Sequence, residues 1–223
     1  MSVVPVKHEP KILVIDGAIG AGKTTLCQLL IQELIKRGYT VGLIDEPVEE
    51  WKKIGILQAF YENQERYAYE FQTYTYVTRV EECIRGYEKY KSCDIILMER
   101  SIFADRHIFV EMLHESGEID EMHYAMYTRW WQMWRRVIPF DITGIIYMRQ
   151  DIDVCMSRIA KRARPSETKI TVEYMTKLKN YYDEYYMNKI SGVPTMITTG
   201  GDYLSDTCLI SDTTDDILKY LFG

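Results

Sequence analysis

The sequence has no CxxC pair, no apolar run long enough to cross a membrane and no tract rich in Pro, Gly or Ser. Its five cysteines, Cys27, Cys83, Cys93, Cys155 and Cys208, are odd in number and scattered, which argues against a disulfide framework or a zinc ribbon and points to a reducing compartment. The four histidines, His8, His107, His114 and His123, have no ligand spacing with the cysteines or with each other, so no metal role is assigned to them. Basic residues are in deficit: 27 Lys and Arg against 33 Asp and Glu leave a formal net charge of −6. That balance argues against nucleic acid as the main partner and still allows a local basic pocket for small anions. The opening MSVVPVKHEP lacks the apolar core of a secretion signal and the Arg/Ser-rich character of a transit peptide, so a cytoplasmic location is expected, the nucleus remaining open. No membrane partner is expected. With no linker and no internal repeat, a chain of 223 residues at 47% hydrophobic content is expected to form one domain over 1–223.

What is present alternates. KILVID (11–16), TVGLID (40–45), DIILM (94–98) and ITGIIYM (142–148) read as strands. Between them lie an amphipathic helix over 24–38 closed by Gly38, a long helical pattern over 64–90, and helices through 102–136, with a further helix from about 151. Strand-helix alternation implies right-handed crossovers onto a parallel sheet covered by helices on both faces, with ligands at the carboxyl ends of the strands. The expected class is α/β, and with GAIGAGKT following the first strand it is of the P-loop nucleotide-binding type.

Between the first strand and its helix stands GAIGAGKT, which matches G-x-x-x-x-G-K-[ST] at Gly17, Gly22, Lys23 and Thr24. The glycines permit the turn, successive N–H groups face phosphate oxygens, and the helix N-terminus adds partial positive charge. Lys23 is expected to reach the β- and γ-phosphates and Thr24 to ligate Mg²⁺. Glu46 follows the second strand and so falls beside this cradle, where a carboxylate can remove a proton from an attacking hydroxyl. The run IILM leads straight into Glu99 and Arg100, which are expected where the third strand leaves the core and opens onto a crevice.

GAIGAGKTT, EPVEEW, FQTYTYVTR, ERSIFADRHIF and RIAKRARPSE, in this order over about residues 10–205, closely resemble the deoxyribonucleoside kinases. The resemblance implies transfer of the γ-phosphate of ATP, with Mg²⁺, to the 5'-hydroxyl of a deoxynucleoside. It makes Glu46 the general base, Arg100 the residue that steadies Glu46 and the developing charge, and Lys23 the phosphate cation; Glu99 joins Thr24 at Mg²⁺. The loop Gly17, Ala18, Gly20, Ala21, Gly22, Lys23, Thr24 and Thr25 holds the donor phosphates. Gln72 and Arg79, two turns apart on one helical face, read the base. Phe71 and Phe109 clamp it, Trp51, Leu57, Phe60 and Tyr61 complete the wall, and Tyr61 and Glu167 meet the 3'-hydroxyl. Asp105 stands one turn from Phe109 and can face the same cavity, and members that favour cytosine or purines over thymine carry an Arg and an Asp at the positions of Arg79 and Asp105.

The stretch KRARPSETK (161–169) reads as a lid spanning about 158–168. Arg158 and Arg162 stand at i and i+4, followed by Arg164 and Pro165, and cations so crowded need an anion. The resemblance assigns Arg162 and Arg164 to the donor phosphates, Arg158 to stacking on adenine opposite Tyr203, and Asp202 to the edge of that base. It also implies a homodimer through helix packing. Trp130, Trp131 and Trp134, and the tyrosines of YYDEYYM (181–187), read as core or subunit interface. A thymidylate kinase shares the cradle and lid, but Asp45 stands where an Arg would meet the acceptor's phosphate. A nucleotide switch would leave Gln72, Arg79 and Asp105 without a purpose, and the Asn-Lys-x-Asp signature is missing.

Overall fold

The computed structural model describes residues 9–188, 192–199, 201, 203 and 206–222. Strands β1 (Lys11–Asp16), β2 (Val41–Ile44), β3 (Ile95–Glu99), β4 (Gly144–Met148) and β5 (Thr195–Thr198) form one sheet in the order β2-β3-β1-β4-β5. Every pairing is parallel. Burial explains the apolar runs: Leu13, Val14 and Ile15 of β1 and Ile95, Ile96 and Leu97 of β3 are fully enclosed, because helices cover both faces. The expected α/β class is what the chain adopts.

The helices are α1 (Lys23–Lys36), α2 (Val48–Lys53), α3 (Ile56–Glu62), α4 (Gln64–Tyr90), α5 (Ile102–Ala104), α6 (Glu111–Glu115), α7 (Glu121–Trp134), α8 (Ile152–Arg162), α9 (Val172–Met187) and α10 (Thr207–Phe222). The long α4 runs over the expected residues, started by the Asn63 side chain accepting from Arg66 N–H. The helices expected through 102–136 are more broken: Asp105–Val110 is wound as a π-helix, and Gly117, at φ 87, ends the run before Asp120 caps α7. The edge strand β5 was not expected.

β1 has β3 on one side and β4 on the other, so the loop leaving its carboxyl end enters the crevice where the chain order switches direction. That loop packs tightly against α8. Gly20 has φ 78, and a Cβ there would lie 2.6 Å from the Cys155 carbonyl oxygen, so only glycine lets the loop approach.

Candidate active site

The carboxyl ends of β1, β2 and β3 deliver the phosphate loop, Glu46, and the Glu99-Arg100 pair to one cavity of about 420 Å³. The Lys23 ammonium donates to the carbonyls of Gly17 and Ala18, each at 3.1 Å. Burial, reinforced by the Arg100 charge, pulls its pKa down to about 8 against the partial help of Glu99, Glu46 and Asp16. Thr24 Oγ1 lies 3.0 and 2.9 Å from the two oxygens of Glu99. Burial raises the Glu99 pKa, Lys23 opposing and Glu46 assisting.

Glu46 is held by two guanidinium groups: Arg79 Nη2 donates to its Oε1 at 2.8 Å and Arg100 Nε at 3.0 Å. Burial pushes its pKa up, but Arg100, Arg79 and Lys23 together outweigh burial and bring it to about 2. Arg79 also donates from Nε to Asp105 at 2.7 Å, so one buried cation spans both carboxylates. Its Nη1 has no hydrogen-bond partner among the described residues. Burial raises the Asp105 pKa against the Arg79 charge.

Arg100 sits at φ 66, a left-handed backbone that costs a non-glycine residue about 1 kcal/mol or more, and its N–H is fixed to the Ile15 carbonyl at 2.9 Å. The turn swings the side chain off the end of β3 and into the cavity. Its guanidinium carbon lies 4.8 Å from the centre of the Phe109 ring, a cation–π contact.

The same cavity gathers Trp51, Leu57, Tyr61, Phe71, Gln72, Arg79, Asp105, Phe109 and Glu167, the residues that the resemblance assigns to the acceptor. Phe60 is different: it is fully buried, stacks on Phe71 at 4.5 Å and stands one layer behind the wall. Thr75 also lines the cavity, its hydroxyl turned back to the Gln72 carbonyl at 3.1 Å. Trp51 is locked by its Nε1 bond to Thr78 at 2.9 Å.

A second, larger depression is lined by the loop from Gly20 to Thr25 with Arg158, Arg162, Arg164 and Tyr203, which the resemblance assigns to the donor. Arg158 Nη1 donates to the Ala21 carbonyl at 2.8 Å. Ala18 is buried, and Gly17 N–H donates to Asp16 at 2.8 Å. Arg162 is engaged elsewhere: it grips Glu167 with two bonds of 2.7 Å, and Arg164 joins at 3.3 Å. Tyr203 is buried with its hydroxyl 3.0 Å from Thr198 Oγ1. Asp202 lies outside the described residues.

A family model described as deoxynucleoside kinase matches residues 13–220. The chain belongs to the deoxynucleoside kinase family. Relatives of this kinase include a probable deoxycytidine kinase of Fowlpox virus (strain NVSL), 30% identical over 215 residues, which are 95% of this chain and 88% of the relative. The deoxycytidine kinase of Mus musculus is 29% identical over 220 residues, 90% and 82% of the two chains. The mitochondrial thymidine kinase 2 of Homo sapiens is 29% identical over 182 residues, 80% and 65%. The kinase uses ATP as phosphate donor, with Mg²⁺. One hydroxyl and one carboxylate, Thr24 and Glu99, suit an ion that takes its other ligands from phosphate and water. Among the described residues no cluster of three His, Cys, Asp or Glu could hold a metal by itself.

Sequence reasoning missed two features of the kinase. Arg79 was assigned to the base alone, yet it also grips Glu46. Asp16 was read only as the end of a strand. It is wholly buried and accepts from Gly17 N–H at 2.8 Å, Tyr182 at 2.9 Å and Tyr186 at 2.7 Å. A carboxylate directly before a glycine-rich loop was the available signal; its hydroxyl partners, 166 and 170 residues away, left none.

Proposed function

We propose that the kinase phosphorylates the 5'-hydroxyl of deoxycytidine or a purine deoxynucleoside in preference to thymidine. The observation that carries the choice is the Arg79-Asp105 pair in the wall of the acceptor cavity, with one guanidinium nitrogen left unpartnered. A guanidinium beside a carboxylate complements a base edge that offers a ring-nitrogen acceptor beside an exocyclic amino group, as cytosine and adenine do. Thymine offers no amino group and adds a methyl. Guanine keeps acceptors for Arg79 and Gln72. Phe71 and Phe109 would clamp the ring, with Trp51, Leu57 and Phe60 behind or beside them, and Tyr61 and Glu167 would meet the 3'-hydroxyl.

Glu46 would take the 5'-hydroxyl proton. A carboxylate with a pKa near 2 is a weak base, which fits phosphoryl transfer, where a loose transition state makes orientation matter more than early proton removal. Arg100 would aim Glu46 and share the developing charge, while Lys23, Arg162 and Arg164 would neutralise the donor phosphates. Arg158 and Tyr203 would flank adenine, and Thr24 with Glu99 would hold Mg²⁺, whose charge, when bound, screens the phosphates. Asp45 beside Glu46 disfavours an acceptor that already carries phosphate.

The whole chain would act as one catalytic domain in the cytoplasm, a reading supported by five free thiols; among the described residues no helix is long and apolar enough to cross a membrane. It would work as a homodimer. Met122, Met126, Trp130, Met133 and Val137 are exposed along one side of α7 and the turn after it, an apolar stripe at helical spacing that fits a second copy. ADP release with Mg-ATP, measured with each of the four deoxynucleosides, with dTMP and with no acceptor, tests the reading. Deoxycytidine or a purine deoxynucleoside is expected to give the highest kcat/KM. A thymidine or dTMP maximum, or equal turnover without acceptor, overturns it.

A further inference from the structure

Arg100 must be aimed, and Glu46 holds only one end of it. At the other end, Arg100 Nη1 donates to the Tyr182 hydroxyl, and that hydroxyl donates to Asp16 Oδ1 at 2.9 Å. The direct separation from Nη1 to Asp16 is 3.5 Å, at the limit of a useful hydrogen bond, so the phenol oxygen carries the link. All three groups are enclosed: Asp16 and Tyr182 have no exposed surface and Arg100 is 5% exposed. The same Asp16 Oδ1 also accepts from Gly17 N–H, the first amide of the phosphate loop. A single carboxylate oxygen therefore ties the donor cradle to the guanidinium that faces the acceptor.

We infer that Tyr182 is a positioning residue, which relays the buried Asp16 carboxylate to Arg100 and thereby fixes the angle at which Arg100 presents itself to Glu46. This rests on the roles of Glu46 and Arg100 proposed above. A guanidinium is a planar fork, so fixing Nε on Glu46 and Nη1 on Tyr182 sets its plane, whereas either bond alone leaves it free to swing. The Tyr182 ring is itself fixed, stacked on Tyr147 at 5.7 Å and meeting Phe109 edge-on at 6.1 Å. Removal of the hydroxyl alone thus leaves the ring seated and the arginine unguided.

Tyr186 supplies the control. It lies one turn along α9, is equally buried and donates to the other oxygen of Asp16 at 2.7 Å, but among the described residues it makes no hydrogen bond to Arg100. Tyr182→Phe and Tyr186→Phe each remove one hydroxyl from the same carboxylate, so both are expected to lower Tm by similar amounts. Tyr182→Phe alone is expected to lower kcat, by about 10- to 100-fold, the worth of a hydrogen bond to a charged group, with both KM values nearly unchanged. Asp16→Asn reaches the same point by removing charge with little change of shape. It too is expected to lower kcat selectively, and combined with Tyr182→Phe to lower it by less than the product of the two effects. Equal kcat for the two Tyr→Phe variants, or independent effects of Tyr182→Phe and Asp16→Asn, overturns the inference. Wild-type ADP release that ignores the deoxynucleoside is a different failure, that of the kinase reading, and is seen before any variant is made.

Discussion

The acceptor floor and the lid are both built from arginine and glutamate, but they use these residues in opposite ways. On the floor, Arg79 and Arg100 are 4% and 5% exposed and share Glu46, with Asp105 and Tyr182 closing the network. These are the groups proposed to stand at the reacting centre, and the floor holds them in one buried network. In the lid, Arg162 and Arg164 are 32% and 35% exposed and both turn to Glu167, which is only 6% exposed. Cations proposed for phosphate are there paired with the lid's own carboxylate. The floor is a buried network, whereas the lid cations are partly exposed and satisfied by a carboxylate of their own segment.

Glu46→Gln strikes the floor at its centre and gives the largest expected effect. It keeps the shape, removes the proton acceptor and leaves two buried cations less compensated. It is expected to lower kcat by roughly 10²- to 10⁴-fold with ATP affinity little changed, as read by steady-state kinetics and nucleotide titration. An unaltered kcat would remove Glu46 from the mechanism. In the wild type, the depressed pKa of Glu46 implies no loss of kcat/KM on its account until the pH falls well below 4. The group's stabilising effect is complete above its unfolded value and is lost as pH falls toward about 2.

The Arg79-Asp105 pair tests whether the floor behaves as a unit. Asp105→Ala alone leaves Arg79 with Glu46 as its remaining carboxylate partner and is expected to destabilise by about 1.5–3 kcal/mol in denaturant unfolding, the worth of a hydrogen bond to a charged group, whereas Arg79→Met combined with Asp105→Ala should lose less than the sum of the singles because neither partner is left without the other. The double variant is also expected to move the ratio of kcat/KM values toward thymidine. A destabilisation equal to the sum of the singles would show that the two residues act independently.

Lys23 links the two regions, and its charge is expected to depend on pH. Its pKa of about 8 in the free protein lies below the ordinary lysine value, and phosphate oxygens favour the ammonium form. Between these limits binding takes up a proton, so ATP affinity is expected to fall as pH rises above about 8, by up to ~10-fold per pH unit. Calorimetric titration in buffers of different ionisation enthalpy measures the uptake directly. The linkage to folding has the opposite direction: the unfolded chain binds the extra proton, so this group's unfavourable contribution shrinks as pH rises through the same window.

The sequence discloses some parts of this arrangement better than others, for local reasons. The phosphate loop is a contiguous motif, and β1, β3 and β4 are apolar runs that only a doubly covered sheet explains. β5, with TMIT at the sheet edge and none of its residues fully buried, carries no such signature. The short π-helix that delivers Asp105 and Phe109 is likewise silent, since its residues read as ordinary helix. The tyrosines of α9 read as core or subunit interface, and Tyr182, Tyr185 and Tyr186 are buried. Their hydroxyl chemistry was not, because it depends on Asp16 far away in the chain. Composition can announce a buried ring but not the atom its oxygen will meet.

The smallest expected effect sharpens the contrast most. Glu167→Gln keeps the size of the residue that Arg162 grips at 2.7 Å but removes the charge that occupies it. If the lid cations are held back from phosphate by their own carboxylate, freeing them is expected to tighten ATP binding by about 2- to 5-fold, the scale of a partly exposed ion pair, and the gain is expected to fade as salt is raised. The same change is expected to raise KM for the deoxynucleoside, because Glu167 would also meet the sugar. Opposite movements of the two affinities would identify Glu167 as a switch between lid and acceptor, while weakening of both would mean that Arg162 needs Glu167 to be presented to phosphate at all.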